Sequence, residues 1–145
     1  MLVQEEATDF RVRSHVYTDP LIYEQEIREI FERSWVYIGH ESEIAHPGDC
    51  RTGRIGSQPM IIAQSKDGSI HVLLNVCRHR ANAICREERG NSLNFRCPYH
   101  AWTYRNTGEL IGVADRPSYP EGFTTEDLGL RGIDMPLHMR ERRSR

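Results

Sequence analysis

Apolar positions along this chain follow two different rhythms. In the first, Tyr23, Ile27, Ile30, Phe31 and Ser34 fall at offsets 0, 4, 7, 8 and 11, which is one face of a helical wheel. Glu24, Glu26, Arg28, Glu29, Glu32 and Arg33 lie mostly elsewhere on that wheel. Asp19-Pro20 supplies a start signal, with Pro20 suited to the first helical position. The pattern predicts an amphipathic helix of about four turns, packed on the domain or on a partner subunit. Residues 1–17 show no strong period and read as an extended arm.

From Trp35 the rhythm shortens to that of strands. The expected strands are Trp35 to Gly39, Cys50 to Ile55, Met60 to Ser65, Ile70 to Val76, Asn94 to Arg96, Trp102 to Arg105 and Leu110 to Val113. Turn signals separate them: Pro47-Gly48-Asp49, Gly56, Lys66-Asp67-Gly68-Ser69 and Asn106-Thr107-Gly108-Glu109. Many short strands at close spacing predict a mainly β chain, an antiparallel sandwich or small barrel with an N-terminal amphipathic helix. Beyond Val113 the chain is rich in loop-formers, and it ends in the basic run Arg140-Glu141-Arg142-Arg143-Ser144-Arg145. The expected division is an arm and helix over 1–38, a β domain over 39–133, and a solvated, disordered tail over 134–145.

Composition narrows the class. With 145 residues, 38% of them apolar and 28% charged, the chain is long enough to build one globular core. A net charge of −2 offers no general attraction to nucleic acid or to an anionic membrane. No apolar run approaches the ~18 residues a membrane span needs. The segment Met1 to Arg13 has neither the basic start nor the apolar stretch of a secretion signal, so a cytoplasmic location is expected. In that compartment cysteines close to histidines point to metal before disulfides. Of the four cysteines, Cys77 and Cys97 sit beside histidines, while Cys50 and Cys85 do not.

Cys77-Arg78-His79 places a thiol and an imidazole two residues apart, and Cys97-Pro98-Tyr99-His100 places a second pair three apart, with 17 residues between His79 and Cys97. Two short loops, each offering one sulfur and one ring nitrogen, suit a 2Fe–2S cluster whose sulfurs meet one iron and whose nitrogens meet the other. A structural zinc site is the rival. Such sites commonly pair cysteine with cysteine and histidine with histidine, whereas here the two types alternate. On spacing alone both cofactors remain open, with the iron–sulfur reading ahead.

The residues around the motifs carry a family resemblance. Val76-Cys77-Arg78-His79-Arg80 and Cys97-Pro98-Tyr99-His100-Ala101-Trp102-Thr103-Tyr104 closely resemble the Rieske domain of the alpha (large) subunits of aromatic-ring-hydroxylating dioxygenases. Glu32-Arg33-Ser34-Trp35-Val36-Tyr37-Ile38-Gly39-His40 resembles their lead-in, and Glu88-Arg89-Gly90-Asn91 the loop before their second motif. The likeness covers roughly residues 15–133 and implies a Rieske-type β fold holding a Rieske 2Fe–2S cluster on Cys77, His79, Cys97 and His100. Ala81 and Ala101 depart from it, standing where these proteins usually carry glycine, and a modest loss of cluster stability is expected.

The resemblance further implies single electrons arriving from a ferredoxin or reductase and passing to a mononuclear iron in a separate catalytic domain of the oxygenase. That iron is held by two histidines and a carboxylate, and only His138 follows His100 here. The expectation is a Rieske-only, truncated chain with an out-of-frame tail, which transfers electrons and does not hydroxylate alone. A stand-alone Rieske ferredoxin-like carrier and a zinc-stabilised binding module are the alternatives.

Tyr99 and Trp102 adjoin His100 and are expected in the cluster shell with Arg80. Arg78 and Arg80 flank His79 and read equally as arginines that steer an acidic redox partner or pair with a nearby carboxylate, and as exposed loop arginines. Cys50 and Cys85 read as buried or half-buried free thiols, small apolar fillers. His15, His40, His46, His71 and His138 lack a cysteine or histidine at ligand spacing and read as structural or exposed.

Overall fold

The computed structural model describes residues 3–6 and 9–133. They form two compact units, one running to residue 38 and including 55–57, the other comprising 39–54 and 58 onward. The basic tail and His138 lie outside the described residues.

In the first unit, β1 (Val3–Glu6) and β2 (Asp9–Val12) form an antiparallel hairpin with Val3 opposite Val12, in place of the expected extended arm. The helix α1 spans Pro20–Glu26, and the Asp19 side chain accepts the Leu21 N–H at 2.9 Å. It is shorter than its apolar stripe suggests. At Ile27–Phe31 it widens into a π turn, closed by Glu32 N–H on the Ile27 carbonyl at 2.9 Å. Past Ile27 a 3.6-residue period no longer applies, and the stripe disperses. Ile27 and Phe31 lie against the Gly56 turn, while Tyr23 is 59% and Ile30 50% exposed. The expected strand Trp35 to Gly39 is absent, since these residues join none of the three sheets. Aromatic content favours extended backbone, but a strand exists only where an adjacent edge pairs its N–H and C=O groups.

The second unit opens with a 3₁₀ turn at Glu41–Ile44. His40 Nδ1 accepts the Ser42 N–H at 3.2 Å, and Glu43 accepts the His40 N–H at 2.9 Å. The other Glu43 oxygen pairs with Arg51 and Arg89, so one carboxylate ties this turn to two strands. The first sheet runs β5 (Ile70–Leu74), β4 (Gln58–Gln64), β3 (Asp49–Ile55), β6 (Arg89–Asn91). The second is β7 (Asn94–Arg96), β8 (Thr103–Arg105), β9 (Leu110–Gly112). The fold is thus mainly antiparallel β, as two small sheets that do not close into a barrel. Strand β6 pairs with β3 through Cys50 opposite Gly90, a short polar strand that no alternation announces.

Asp67 locks the β4–β5 turn by accepting from Ser65 and Ser69. At the β8–β9 turn Gly108 has φ +100°, and a Cβ there would stand 3.1 Å from Leu73 and 3.2 Å from the Leu130 carbonyl. Only glycine lets this turn approach so closely. The core of the unit gathers Ile61, Ala63, Leu73, Ile84, Phe95, Trp102, Tyr104, Leu110 and Leu130 around Cys77 and Cys97. Among the described residues no helix is long and apolar enough to cross a membrane.

Candidate metal centre

The two Cys/His motifs occupy loops with the same backbone frame. The first follows β5. There Cys77 N–H donates to Asn82 O at 2.9 Å, and Ala81 N–H donates to Cys77 O at 2.9 Å. The second tips the β7–β8 hairpin. There Cys97 N–H donates to Trp102 O at 2.8 Å, and Ala101 N–H donates to Cys97 O at 2.9 Å. Each cysteine therefore opens an identical closed turn, and each alanine sits at its tightest point. Within this shared frame the histidine comes second after cysteine in one loop and third in the other. The two motifs thus differ in spacing, Cys-x-His against Cys-x-x-His, while sharing one backbone frame.

Ala81 (φ +53°) and Ala101 (φ +58°) both adopt the left-handed conformation. An L side chain there costs about 1–2 kcal/mol, against which glycine's greater freedom when unfolded costs about 0.5–1. Ala81→Gly and Ala101→Gly are each expected to stabilise the protein by about 0.5–1 kcal/mol, raising the melting temperature by about 3–6 °C. Thermal melts of both single variants and the double variant check this; an unchanged or lowered melting temperature would show that the methyl groups carry packing that outweighs the strain.

The thiols are buried, Cys77 at 3% and Cys97 at 2% exposure, and they lie within hydrogen-bonding reach of each other. Burial pushes the Cys97 thiol up, but the backbone N–H groups of Tyr99 and His100, then the side chains of Cys77 and Asn82, outweigh it and hold the thiol below its ordinary value. The His79 and His100 rings meet edge to face, with centroids 4.6 Å apart. Partial burial, then the neighbouring His100 and Arg80, lower the His79 pKa and favour the neutral imidazole, the form in which a histidine can ligate a metal. The Nδ1 of His79 is buried without a hydrogen-bond partner. A lone pair so placed is costly unless a metal or a donor meets it. The donor set and this orphaned nitrogen fit an iron–sulfur cofactor.

The surroundings hold these groups in place. Trp102, 3% exposed, stacks on His79 at 4.9 Å and 7°, and its Nε1–H donates to Tyr119 Oη at 3.0 Å. Tyr99 tilts over His100 at 3.8 Å but is itself 59% exposed. Arg80 is exposed beside His79. Tyr104 Oη accepts the Arg78 N–H at 3.1 Å and lies 3.3 Å from Cys77 Sγ, a contact in which either group can donate. Buried Asn75 binds Cys85 O and the N–H groups of Ile84 and Cys85, fixing the return of the first loop. An open cavity of about 790 Å³ adjoins the histidines, lined by Arg96, Tyr99, Asp115 and Tyr119 among others. Tyr104, Asn75 and Asn82 went unnoticed in the sequence as functional residues; polar side chains at the ends of both motifs were the available signal.

Comparison with known proteins matches residues 34–122 to the model of the Rieske [2Fe-2S] domain. The chain belongs to the Rieske [2Fe-2S] domain family. Its cofactor is a Rieske-type 2Fe–2S cluster. This Rieske domain is 41% identical over 120 residues to the 2-halobenzoate 1,2-dioxygenase large subunit of Burkholderia cepacia, covering 81% of the chain and 26% of that subunit. It is 42% identical over 119 residues to the biphenyl 2,3-dioxygenase subunit alpha of Rhodococcus jostii, covering 82% of the chain and 26% of that subunit. The naphthalene 1,2-dioxygenase of Rhodococcus sp., solved with bound indole, superposes with a TM-score of 0.77 at 41% identity, over 83% of this chain and 28% of that one. The Rieske domain thus spans about a quarter of the length of these relatives, and it is of the kind found in ring-hydroxylating dioxygenase alpha subunits.

Proposed function

We propose that this Rieske domain serves as the electron-transfer part of an aromatic-ring-hydroxylating oxygenase, with Cys77 and Cys97 holding one iron and His79 and His100 the other. The observation that carries the assignment is the pairing of two buried thiols with two edge-to-face imidazoles, one of them with an orphaned Nδ1. Bound there, the cluster supplies one-electron transfer. The chain's own residues keep the sulfurs dry, hold His79 neutral and present the imidazole edge to the cavity side. The alternation of thiol and imidazole along the chain, in place of paired cysteines and paired histidines, weighs against a structural zinc site.

The partners follow from charge. Arg51 and Arg89 share the Glu43 carboxylate and Arg105 pairs with Glu109, whereas Arg78, Arg80 and Arg96 around the site pair with no carboxylate among the described residues. An uncompensated cationic rim favours an acidic donor, a ferredoxin or reductase, and the electron passes onward to a mononuclear iron of the oxygenase.

Anaerobically purified protein is expected to show the visible absorption and electron-spin-resonance signal of a reduced Rieske centre, with iron and sulfide and without zinc. A colourless, zinc-containing sample would sink the reading. Its reduction by an acidic ferredoxin is expected to slow about tenfold between low and physiological salt, and Arg80→Glu with Arg96→Glu to slow it similarly at low salt. Rates indifferent to salt and to both changes count against the cationic rim.

A further inference from the structure

Asn82 follows the left-handed Ala81 and closes the first loop by accepting the Cys77 N–H. Its side chain faces the other way. Nδ2 lies 2.8 Å from the Ala83 carbonyl and 4.0 Å from Cys97 Sγ, the cysteine of the second loop. An amide nitrogen carries two hydrogens, so one serves Ala83 and the second remains for the sulfur. Across the site the Tyr104 hydroxyl accepts the Arg78 N–H and lies 3.3 Å from Cys77 Sγ, which as an iron-bound thiolate can only accept the phenol proton. With both cysteines on iron and neither able to donate, a phenol faces Cys77 and an amide faces Cys97.

We propose that Asn82 is a potential-setting residue, which acts through Cys97 to make the reduced state easier to reach. This rests on Cys97 being an iron ligand, as argued above. A donor to a thiolate sulfur favours the state with more charge on that sulfur, and reduction adds that charge. The 4.0 Å contact is long for a hydrogen bond to sulfur, so Asn82 contributes less than Tyr104. Together the two donors match the site to a weaker reductant than the same ligands without them. Asn82 thus helps decide which class of donor is competent.

The test is a potentiometric titration of the intact protein, followed by electron-spin resonance. Tyr104→Phe is expected to shift the oxidised-to-reduced equilibrium about tenfold, about 59 mV downward for one electron. Asn82→Leu is expected to shift it about threefold, about 28 mV downward. Asn82→Gln, which keeps the amide, should recover at least half of the Asn82→Leu shift, and Asn82→Ala replaces Asn82→Leu if that variant holds no cluster. Loss of a purely structural hydrogen bond to Ala83 lowers the melting temperature but leaves the potential alone. An unmoved potential, or equal shifts for Leu and Gln, overturns the inference. If the wild-type protein lacks the Rieske signal, the ligand assignment falls and this inference falls with it. A normal signal with an unmoved potential overturns this inference alone.

Discussion

Cys97→Ala is expected to leave the chain without its visible colour and without its resonance signal, with bound iron at or below about a tenth of the wild-type level. The argument lies in what remains to substitute for the lost sulfur. Cys50 and Cys85 are both free and half-buried. Burial pushes the Cys85 thiol up to about 12, and burial likewise raises Cys50, so neither supplies a thiolate near neutral pH. Cys97, by contrast, is held low by backbone N–H groups of its own loop. Cys85→Ala is the matched control. It removes a sulfur of the same size from the same unit and is expected to keep full iron and sulfide content. Iron and labile-sulfide analysis of both variants decides the matter: loss of iron in both, or in neither, would contradict the ligand assignment.

Trp102→Ala has the largest expected cost in stability, about 3–5 kcal/mol, as for other buried tryptophans truncated to alanine. Against a total of about 5–15 kcal/mol for a domain, that leaves little margin. Three things go at once: the buried indole, the parallel stack that keeps His79 in its ring plane, and the hydrogen bond to Tyr119. Trp102→Phe separates them. A phenyl ring retains a stacking partner for His79 and loses only the Nε1–H donor, so about 1 kcal/mol is expected. Denaturant titrations of the two variants, with the time course of cluster bleaching in air, give the comparison. If both lose the same small amount, the stack on His79 contributes nothing measurable.

Much of the site was legible because its residues declare themselves by chemistry. Thiols paired with imidazoles at short spacing are rare enough to be read without a fold, and the strands on either side carried clear turn signals at Asp67-Gly68 and Thr107-Gly108. The glycine-to-alanine departures were legible too, and the positive φ of Ala81 and Ala101 gives them a physical cost. Other features depend on contacts that no local pattern encodes. Strand β6 is polar throughout and exists because β3 offers it an edge. Trp35 to Gly39 has strand composition and joins no sheet. Periodicity alone predicts the helix at full length, because it cannot register the π turn at Ile27. Tyr104 and Asn82 acquire their roles from sulfurs that are distant in sequence, 27 residues away for Tyr104 and 15 for Asn82.

Cys77 and Cys97 belong to the hydrophobic core itself, beside Ile61, Leu73 and Tyr104. Cofactor supply and protein lifetime are therefore linked. A ligand that binds only the folded state raises stability in proportion to the logarithm of its free concentration, and with Cys77 and Cys97 as its proposed holders the cluster would join the chain at the centre of the packing. A cell short of iron would thus hold this chain in a looser state, open to proteases. Its abundance would follow nutritional iron with no dedicated sensor, and a pulse-chase measurement under chelation would read that directly.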